Sequence, residues 1–343
     1  MEDNNQIKET LDQEKKECSN LASSPDRLQD FNLNKQGLWL QHSQAIIEEL
    51  SQHLPDYPQK KPALRSDIRC PEDVLLTKTG CAYAFLASKR REIAKLLKHS
   101  PLRHQFGLFN KAGFIASDDF KLTDLRTQKE TIYKQLMDLI SRPQDGVTIQ
   151  KRAQERGTIY IIEFQLTPED AKRQHNENAK STLPFIEDTT DLTIIFSDYG
   201  IDDAKTTLQI DHHMTPFSTD YRNESSYFYV QFVLIEPYLR ACLAWTDEQP
   251  VQDFLSNAGR IAYSLAHRQL VGRGNSAIVE WLIRGLAKNR GIELGPFNHN
   301  ENIGWDFKAF LTPNCEEYAD WFAKKAFAVV KIQETGQFLP GKK

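Results

Sequence analysis

The residue types best suited to chemistry lie in the last third of the chain, where a histidine precedes a glycine-containing turn. His267 stands near the end of a predicted helix, and a turn follows it before the next predicted helix. The turn and helix start comprise Gly272, Arg273, Gly274, Asn275 and Ser276.

Glycines let the backbone approach a ligand closely, and the free N–H groups of a helix N-terminus favour an anion. Arg273 adds a charged donor for phosphate oxygens, and His267 is placed to take a proton from an attacking hydroxyl. The pattern predicts a phosphoryl-transfer site, with Asn275 or Ser276 as the helix cap. An ordinary corner between two helices is the alternative interpretation.

Residues 258–295 resemble the core of Fic domains, in which a His is followed by Pro-Phe, two variable positions and Gly-Asn-Gly-Arg. His267, Gly272 and Gly274 match the histidine and the two glycines, while Ile278 stands at the position of the family's second arginine. The resemblance implies that His267 is the general base and that the turn binds the phosphates of ATP or a similar nucleotide with Mg²⁺. It also implies an enzyme that transfers an AMP-like group to a hydroxyl of a target protein.

A second set of residues suggests a cysteine enzyme. Cys81 follows Thr79-Gly80 at the start of a predicted helix, where the positive end of the helix should lower the pKa of a thiol. His212 and His213 end a predicted strand, and Gln231, or alternatively Asn223, lies on or before the next one. This order resembles papain-like proteases and related glutamine deamidases, in which the imidazole deprotonates the thiol and the amide orients the imidazole. The alternative is that Cys81 is a small buried side chain.

Metal and nucleic-acid binding are not predicted. Adjacent histidines on a strand point to opposite faces, so only one of His212 and His213 can face an ion, even with Asp202 and Asp203 nearby. The formal charge of −4 gives no general attraction to nucleic acid, and the basic run at 89–91 reads as a solvated helix face.

The elements that must position these residues change in type along the chain. Helices are predicted at 38–54, 81–99 and 123–140, strands at 158–166, 192–197, 206–210 and 226–235, and helices again at 251–270, 276–290 and 316–332. We therefore expect an α+β fold with N-terminal helices, a central mostly antiparallel sheet and a C-terminal helical portion. The predicted segments are a disordered leader at 1–35, a helical segment at 36–145, a β-rich segment at 146–247 and a helical segment at 248–343.

Composition limits where such a protein works. The longest apolar stretch, 227–235, is too short to cross a bilayer, and the polar, acidic start of the chain lacks the pattern of a cleaved signal peptide. Five cysteines without a Cys-x-x-Cys pair favour a reducing compartment. We expect a cytoplasmic protein with no membrane span, and export into a host cell without a cleaved signal, as for a bacterial effector, stays open.

The sequence thus leaves three functions to compare. The first is a nucleotidyltransferase that modifies a target protein, with His267 as base. The second is a cysteine hydrolase or deamidase that uses Cys81 with His212 or His213. The third is a non-catalytic protein that binds a partner.

Overall fold

The computed structural model describes residues 33–97, 104–111, 115–142, 144–165, 190–213, 224–298 and 301–332. Helices lie at both ends of the chain around a five-stranded antiparallel sheet, which confirms the predicted α+β class. Of the predicted leader at 1–35, residues 1–32 lie outside the described part. Residues 33–35 belong to the first helix, which corrects the prediction for this end of the leader.

Two helices form the N-terminal part of the molecule, and short 3-10 turns connect them. They are α1, Leu33–His53, and α2, Lys78–Leu96. Helix α2 begins after Thr77, whose hydroxyl oxygen accepts a hydrogen bond from the Gly80 N–H at 2.9 Å, as is usual for a threonine cap. Its side chains are buried on nearly every side of the first three turns, so α2 is a central helix of the molecule.

The sheet contains five strands in the order β1-β5-β4-β3-β2, and every neighbouring pair is antiparallel. The strands are β1 Ile115–Lys121, β2 Val147–Ala153, β3 Thr158–Gln165, β4 Thr190–Asp198 and β5 Thr207–His213. A 3-10 segment, Leu122–Gln128, leads from β1 into helix α3, Lys129–Ser141. Strands β3, β4 and β5 were predicted, whereas β1 and β2 were not.

The C-terminal part returns to helices and adds a small two-stranded sheet. Its helices are α4 Glu224–Ala244, α5 Val251–Arg268, α6 Asn275–Asn289, α7 Trp305–Phe310 and α8 Cys315–Trp321. The two-stranded sheet pairs β6, Ile292–Phe297, antiparallel with β7, Phe327–Ile332, which follows after α7 and α8.

Three predicted elements are wrong in type or length. The strand expected at 226–235 lies inside α4, because a short apolar run rich in β-branched and aromatic residues also suits a helix that is buried among other helices. The helix expected at 316–332 ends at Trp321 and, after a π-turn, becomes β7, since its Val-rich end finds a pairing partner in β6. The helix expected at 123–140 begins only at Lys129, after a kink at Arg126, where φ is +44°.

The hydrophobic side chains form two cores that do not follow the order of the chain. The larger one unites α1 and α2 with α4, α5, α6 and α8. The smaller one lies between one face of the five-stranded sheet and helices α3 and α7. Helix α7 contributes to both, with Trp305 in the larger core and Phe307 in the smaller. The predicted segments at 36–145 and 146–247 are therefore shared between the two cores.

Candidate functional site

His267 lies in the last turn of α5 and is buried, with 3% of its surface exposed. Its Nε2 is 3.0 Å from the carbonyl oxygen of Ala309 on α7, so that nitrogen must carry the proton and donate it. The ring also packs against Tyr263 at 4.1 Å and Phe164 at 6.0 Å between centroids. Burial lowers the pKa of His267 to about 3, so the imidazole is neutral near pH 7. A general base works best with a pKa near the working pH. The surroundings of His267 do not give its imidazole such a pKa.

The backbone of the glycine turn forms hydrogen bonds with the backbone of a neighbouring segment. The N–H of Gly272 donates to Leu108 O at 2.9 Å, and the N–H of Arg273 donates to Gln105 O at 3.1 Å. In return, Arg273 O accepts from the N–H of Gly107 at 3.1 Å. Two of the N–H groups expected to hold a phosphate are thus used in bridges to the 105–110 segment.

The side chains around the start of α6 are also engaged. Asn275 accepts a hydrogen bond from the Tyr83 hydroxyl at 2.6 Å and donates to Leu265 O at 2.7 Å. Ser276 donates to the Asp306 carboxylate at 2.7 Å, and Arg273 donates to Gln105 Oε1 at 3.3 Å. The N-cap is Gly274, with no side-chain cap, so the prediction that Asn275 or Ser276 caps the helix is wrong. A carboxylate beside the helix start opposes a second anion there.

Cys81 lies in the first turns of α2, as predicted, but its surroundings are those of a core residue. The side chain is fully buried, and its Sγ lies 3.4 Å from Leu75 O. The positive end of α2 already holds an anion, because Glu236 of α4 accepts hydrogen bonds from the Thr79 N–H at 2.8 Å and hydroxyl at 2.6 Å. Burial first, and Glu236 in addition, raise the pKa of Cys81 to about 11 against the opposing effect of Lys61. The expectation that the helix start lowers this pKa is wrong.

The histidines and the amide of the cysteine-enzyme hypothesis lie in separate places. His212 and His213 do point to opposite faces of β5, as predicted. His212 is buried, and its Nδ1 is 2.8 Å from the His267 carbonyl oxygen, while the Nε2 of His213 is 2.8 Å from the Thr193 hydroxyl on the other face. Gln231 is buried on helix α4 and not on a strand, which corrects that placement. Asn223 lies outside the described residues.

One group of residues that the sequence did not single out lies on the outer face of the sheet, the face opposite to α3 and α7. The strand pairings arrange most of its side chains in three rows across the sheet, and Ile115 and His213 lie beyond the first of these rows. The acidic row is Ser117, Asp211, Thr193, Glu163 and Thr148. The central row is Asp119, Gln209, Ile195, Ile161 and Gln150. The basic row is Lys121, Thr207, Ser197, Ile159 and Arg152.

Three isoleucines form the apolar middle of the outer face. Ile161 and Ile195 are cross-strand partners, and Ile159 follows two residues before Ile161 on the same side of β3. All three are half-buried, and none of them belongs to either hydrophobic core of the described residues. The signal was present in the sequence, since β3 and β4 carry apolar residues on both faces. A strand with one solvated face alternates instead.

The charges that flank these isoleucines have no ion-pair partners within the described part of the chain. Asp119, Asp211 and Glu163 form no salt bridge there, and neither do Lys121 and Arg152. Glu163 accepts a hydrogen bond from the Thr148 hydroxyl at 3.0 Å, and Asp211 accepts one from the Gln209 amide at 2.9 Å. The outer face therefore offers an apolar centre, acids along one side and bases along the other.

Comparison with known proteins gives no family for this chain: no family model matches it, and no match is found among curated proteins. The resemblance to Fic domains and the function it implies therefore stay predictions. Across the described ranges, the histidines, cysteines and carboxylates form no group of three or more that could hold a metal ion. No described helix has both the length and the apolar character needed to cross a bilayer.

Proposed function

We propose that this protein acts by binding another protein through the outer face of its five-stranded sheet. The observation that carries the proposal is the apolar patch of Ile159, Ile161 and Ile195, which lies outside both cores and is flanked by acidic and basic side chains. Exposed apolar side chains that are rimmed by polar ones are typical of protein interaction sites. Of the three functions considered from the sequence, this is the binding protein.

The chemistry of the face favours a protein partner over a nucleic acid. Asp211 and Glu163 beside the isoleucines repel phosphates, and a nucleic-acid surface would instead need aromatic stacking residues and a continuous basic track. The face is also the surface of a sheet, whereas small ligands favour concave sites. A partner with apolar side chains and charges of both signs is complementary to all three rows.

The surroundings of the two predicted catalytic centres give indirect support to the binding proposal. The proton-bearing nitrogen of His267 is hydrogen-bonded to Ala309 O, and the Cys81 thiol has a raised pKa and lies inside the helical core. Both groups are buried and therefore lack access to a substrate. The transferase hypothesis with His267, ATP and Mg²⁺, and the hydrolase hypothesis with Cys81, remain untested predictions. Neither has an observation of geometry in its favour.

The test uses a photo-crosslinking amino acid at Gln150, an exposed position at the edge of the central row. The labelled protein is irradiated in cell lysate, and its adducts are compared with those of the same labelled protein carrying Ile161→Lys. We expect the wild-type face to form a crosslinked adduct that the Ile161→Lys chain forms much more weakly, because a charge would then be placed in the apolar centre of the interface.

The matched control is Val330→Lys, which places the same charge at an exposed β-branched residue of β7, with 62% of its surface exposed. The labelled chain with Val330→Lys should form the adduct as well as wild type. An adduct that the Ile161→Lys chain forms as efficiently as wild type, or no adduct at all, would overturn the proposed function.

A further inference from the structure

We propose that the partner of the outer face is a second copy of this chain, docked face to face across a two-fold axis that runs along the central row. This inference rests on the proposed function, because it identifies the occupant of the same surface. The argument comes from the order of the three rows, which makes the face complementary to itself.

A two-fold rotation about the central row exchanges the two outer rows. The acidic row of one copy then faces the basic row of the other, while the central row faces itself. Closed two-fold dimers require such a surface, in which each patch meets its own complement. Ile161 and Ile195 of one copy would meet the same two residues of the other, forming an apolar centre.

The charged residues fall beside opposite charges in this arrangement. Arg152 on β2 comes to lie across from the partner's Thr148 and next to the partner's Glu163, because β2 and β3 are neighbours. Lys121 on β1 lies in the same way next to the partner's Asp211, because β1 and β5 are neighbours. Two sheets pack about 10 Å apart, a gap that two long charged side chains can span. Each dimer would contain two copies of each pair.

Within one copy these charges are too far apart to neutralise each other. Arg152 is opposite Ile159, and Glu163 is four residues further along β3, roughly 13 Å at 3.3 Å per residue. An intramolecular pair therefore does not compete with the intermolecular one. Two residues are exceptions to the complementarity. The central row places Asp119 opposite its own copy at the exposed rim, and the exchange of the outer rows places Glu163 across from the partner's Ile159.

The size of the face predicts a weak, concentration-dependent dimer. Five strands about 4.8 Å apart and seven residues of about 3.3 Å each give a footprint on the order of 500 Å² per copy. Both copies together bury roughly 1,000 Å², at the lower limit of specific interfaces. We expect sedimentation velocity to show a shift from monomer to dimer as the concentration rises from about 1 to about 500 μM, the range of weak association.

The decisive experiment is a charge exchange between copies. Glu163→Lys alone makes both Arg152 pairs repulsive, and Arg152→Glu alone makes both Glu163 pairs repulsive. Each single variant should therefore dimerise at least about tenfold more weakly than wild type, which corresponds to about 1.4 kcal/mol. An equimolar mixture of the two variants should recover dimers, because every pair between the two different chains is then of opposite charge. Asp119→Asn should strengthen the wild-type dimer by about twofold, since it removes a repulsion at the rim.

The results separate this inference from the proposed function. Recovery of heterodimers in the mixture supports the second copy as the partner. A chain that stays monomeric at every concentration, or a mixture no better than either variant, overturns it. If the Gln150 adduct then contains a different protein and still forms only when Ile161 is intact in the labelled chain, the self-docking inference falls while the proposed function stands.

Discussion

At the scale of single residues, the glycine turn has a structural reason for its composition. Gly274 has φ = +86°, a conformation that favours glycine, and an added Cβ would lie 2.8 Å from Arg90 Nε and 3.0 Å from Phe106 Cδ1. Gly272 lacks a positive φ, and its added Cβ would come no nearer than 3.3 Å to Asn110 Oδ1. The two glycines that match the Fic pattern therefore differ in what the fold requires of them.

This difference predicts unequal stability effects. Gly274→Ala should lower the free energy of unfolding by about 1–3 kcal/mol, because alanine is strained at positive φ and its Cβ meets Arg90. Gly272→Ala, the matched control, should lower it by less, because Gly272 has no positive φ and its added Cβ would lie 3.3 Å from Asn110 Oδ1 and Gln105 O. Urea denaturation of both variants against wild type measures the two values. Equal losses would show that the backbone conformation at Gly274 is not the reason for the glycine.

At the scale of elements, the start of α2 explains the Thr-Gly-Cys sequence without any reaction. An added Cβ at Gly80 would lie only 1.9 Å from Val74 O, so the preceding turn can pack closely only against a glycine. The Thr77 hydroxyl and the Glu236 carboxylate of α4 accept hydrogen bonds from the first N–H groups. The helix start is thus a junction between α2 and α4, and Cys81 is a buried core side chain in the first turn of α2.

The junction predicts an unreactive thiol. Because burial and Glu236 raise the pKa of Cys81 from 9.0 to about 11, its thiolate fraction at neutral pH is about 10²-fold lower than for an ordinary thiol. Iodoacetamide should modify Cys81 at least that much more slowly in the native protein than in urea, measured by peptide mass spectrometry. Cys315, half-buried at the start of α8, serves as the internal check that the reagent is active. Rapid native modification of Cys81 at pH 7 would revive the hydrolase hypothesis.

At the scale of the whole molecule, two buried histidines join the sheet to the helices. His212 of β5 and His267 of α5 meet through the hydrogen bond between His212 Nδ1 and His267 O, and Phe310 of α7 packs on both rings at 5.4 and 6.5 Å. Burial lowers the pKa of both. Arg268 lowers that of His267 further, while Asp118 and Asp211 oppose the shift of His212. The residues proposed from sequence as parts of two active sites thus form one contact between the two cores.

That contact predicts a loss of stability in acid. As the pH falls below 6.5, the unfolded chain binds a proton at His267 that the native state accepts only near pH 3. The unfolded state then holds more protons, so the stability is complete above pH 6.5 and falls with pH at up to about 1.4 kcal/mol per unit for each such histidine. His267→Gln keeps an N–H for Ala309 O but cannot titrate.

The measurement compares wild type and His267→Gln by urea denaturation at pH 7 and pH 5. Carboxylates titrate in both proteins, so their contribution cancels in the difference between the two proteins. The variant should lose less stability than wild type between these values. The same pH dependence in both proteins would show that the native pKa of His267 is close to its unfolded value, as suits a general base.

Local patterns in the sequence determined the class of the fold and most of its elements. The amphipathic spacing of α1, α5 and α6, and the β-branched runs of β3, β4 and β5, identify these elements because short-range preferences and burial agree there. The positions of His267 at a helix end, of Gly274 before α6 and of Cys81 at the start of α2 were predicted correctly. The opposite orientation of His212 and His213 followed from strand geometry alone.

Only the tertiary structure decided what these residues do, because function depends on what packs against them. The run at 226–235 is helical, with Phe228, Phe232 and Ile235 buried in the larger core, and β7 pairs with β6. His267 is hydrogen-bonded to Ala309, which lies 42 residues further along the chain. Glu236, which lies 155 residues after Cys81, contacts the helix start beside that cysteine. The three rows of the outer face exist only through the register of five strands. Pairings over such separations cannot be inferred from local periodicity. The sequence therefore shows which residues form the face but not how they are arranged.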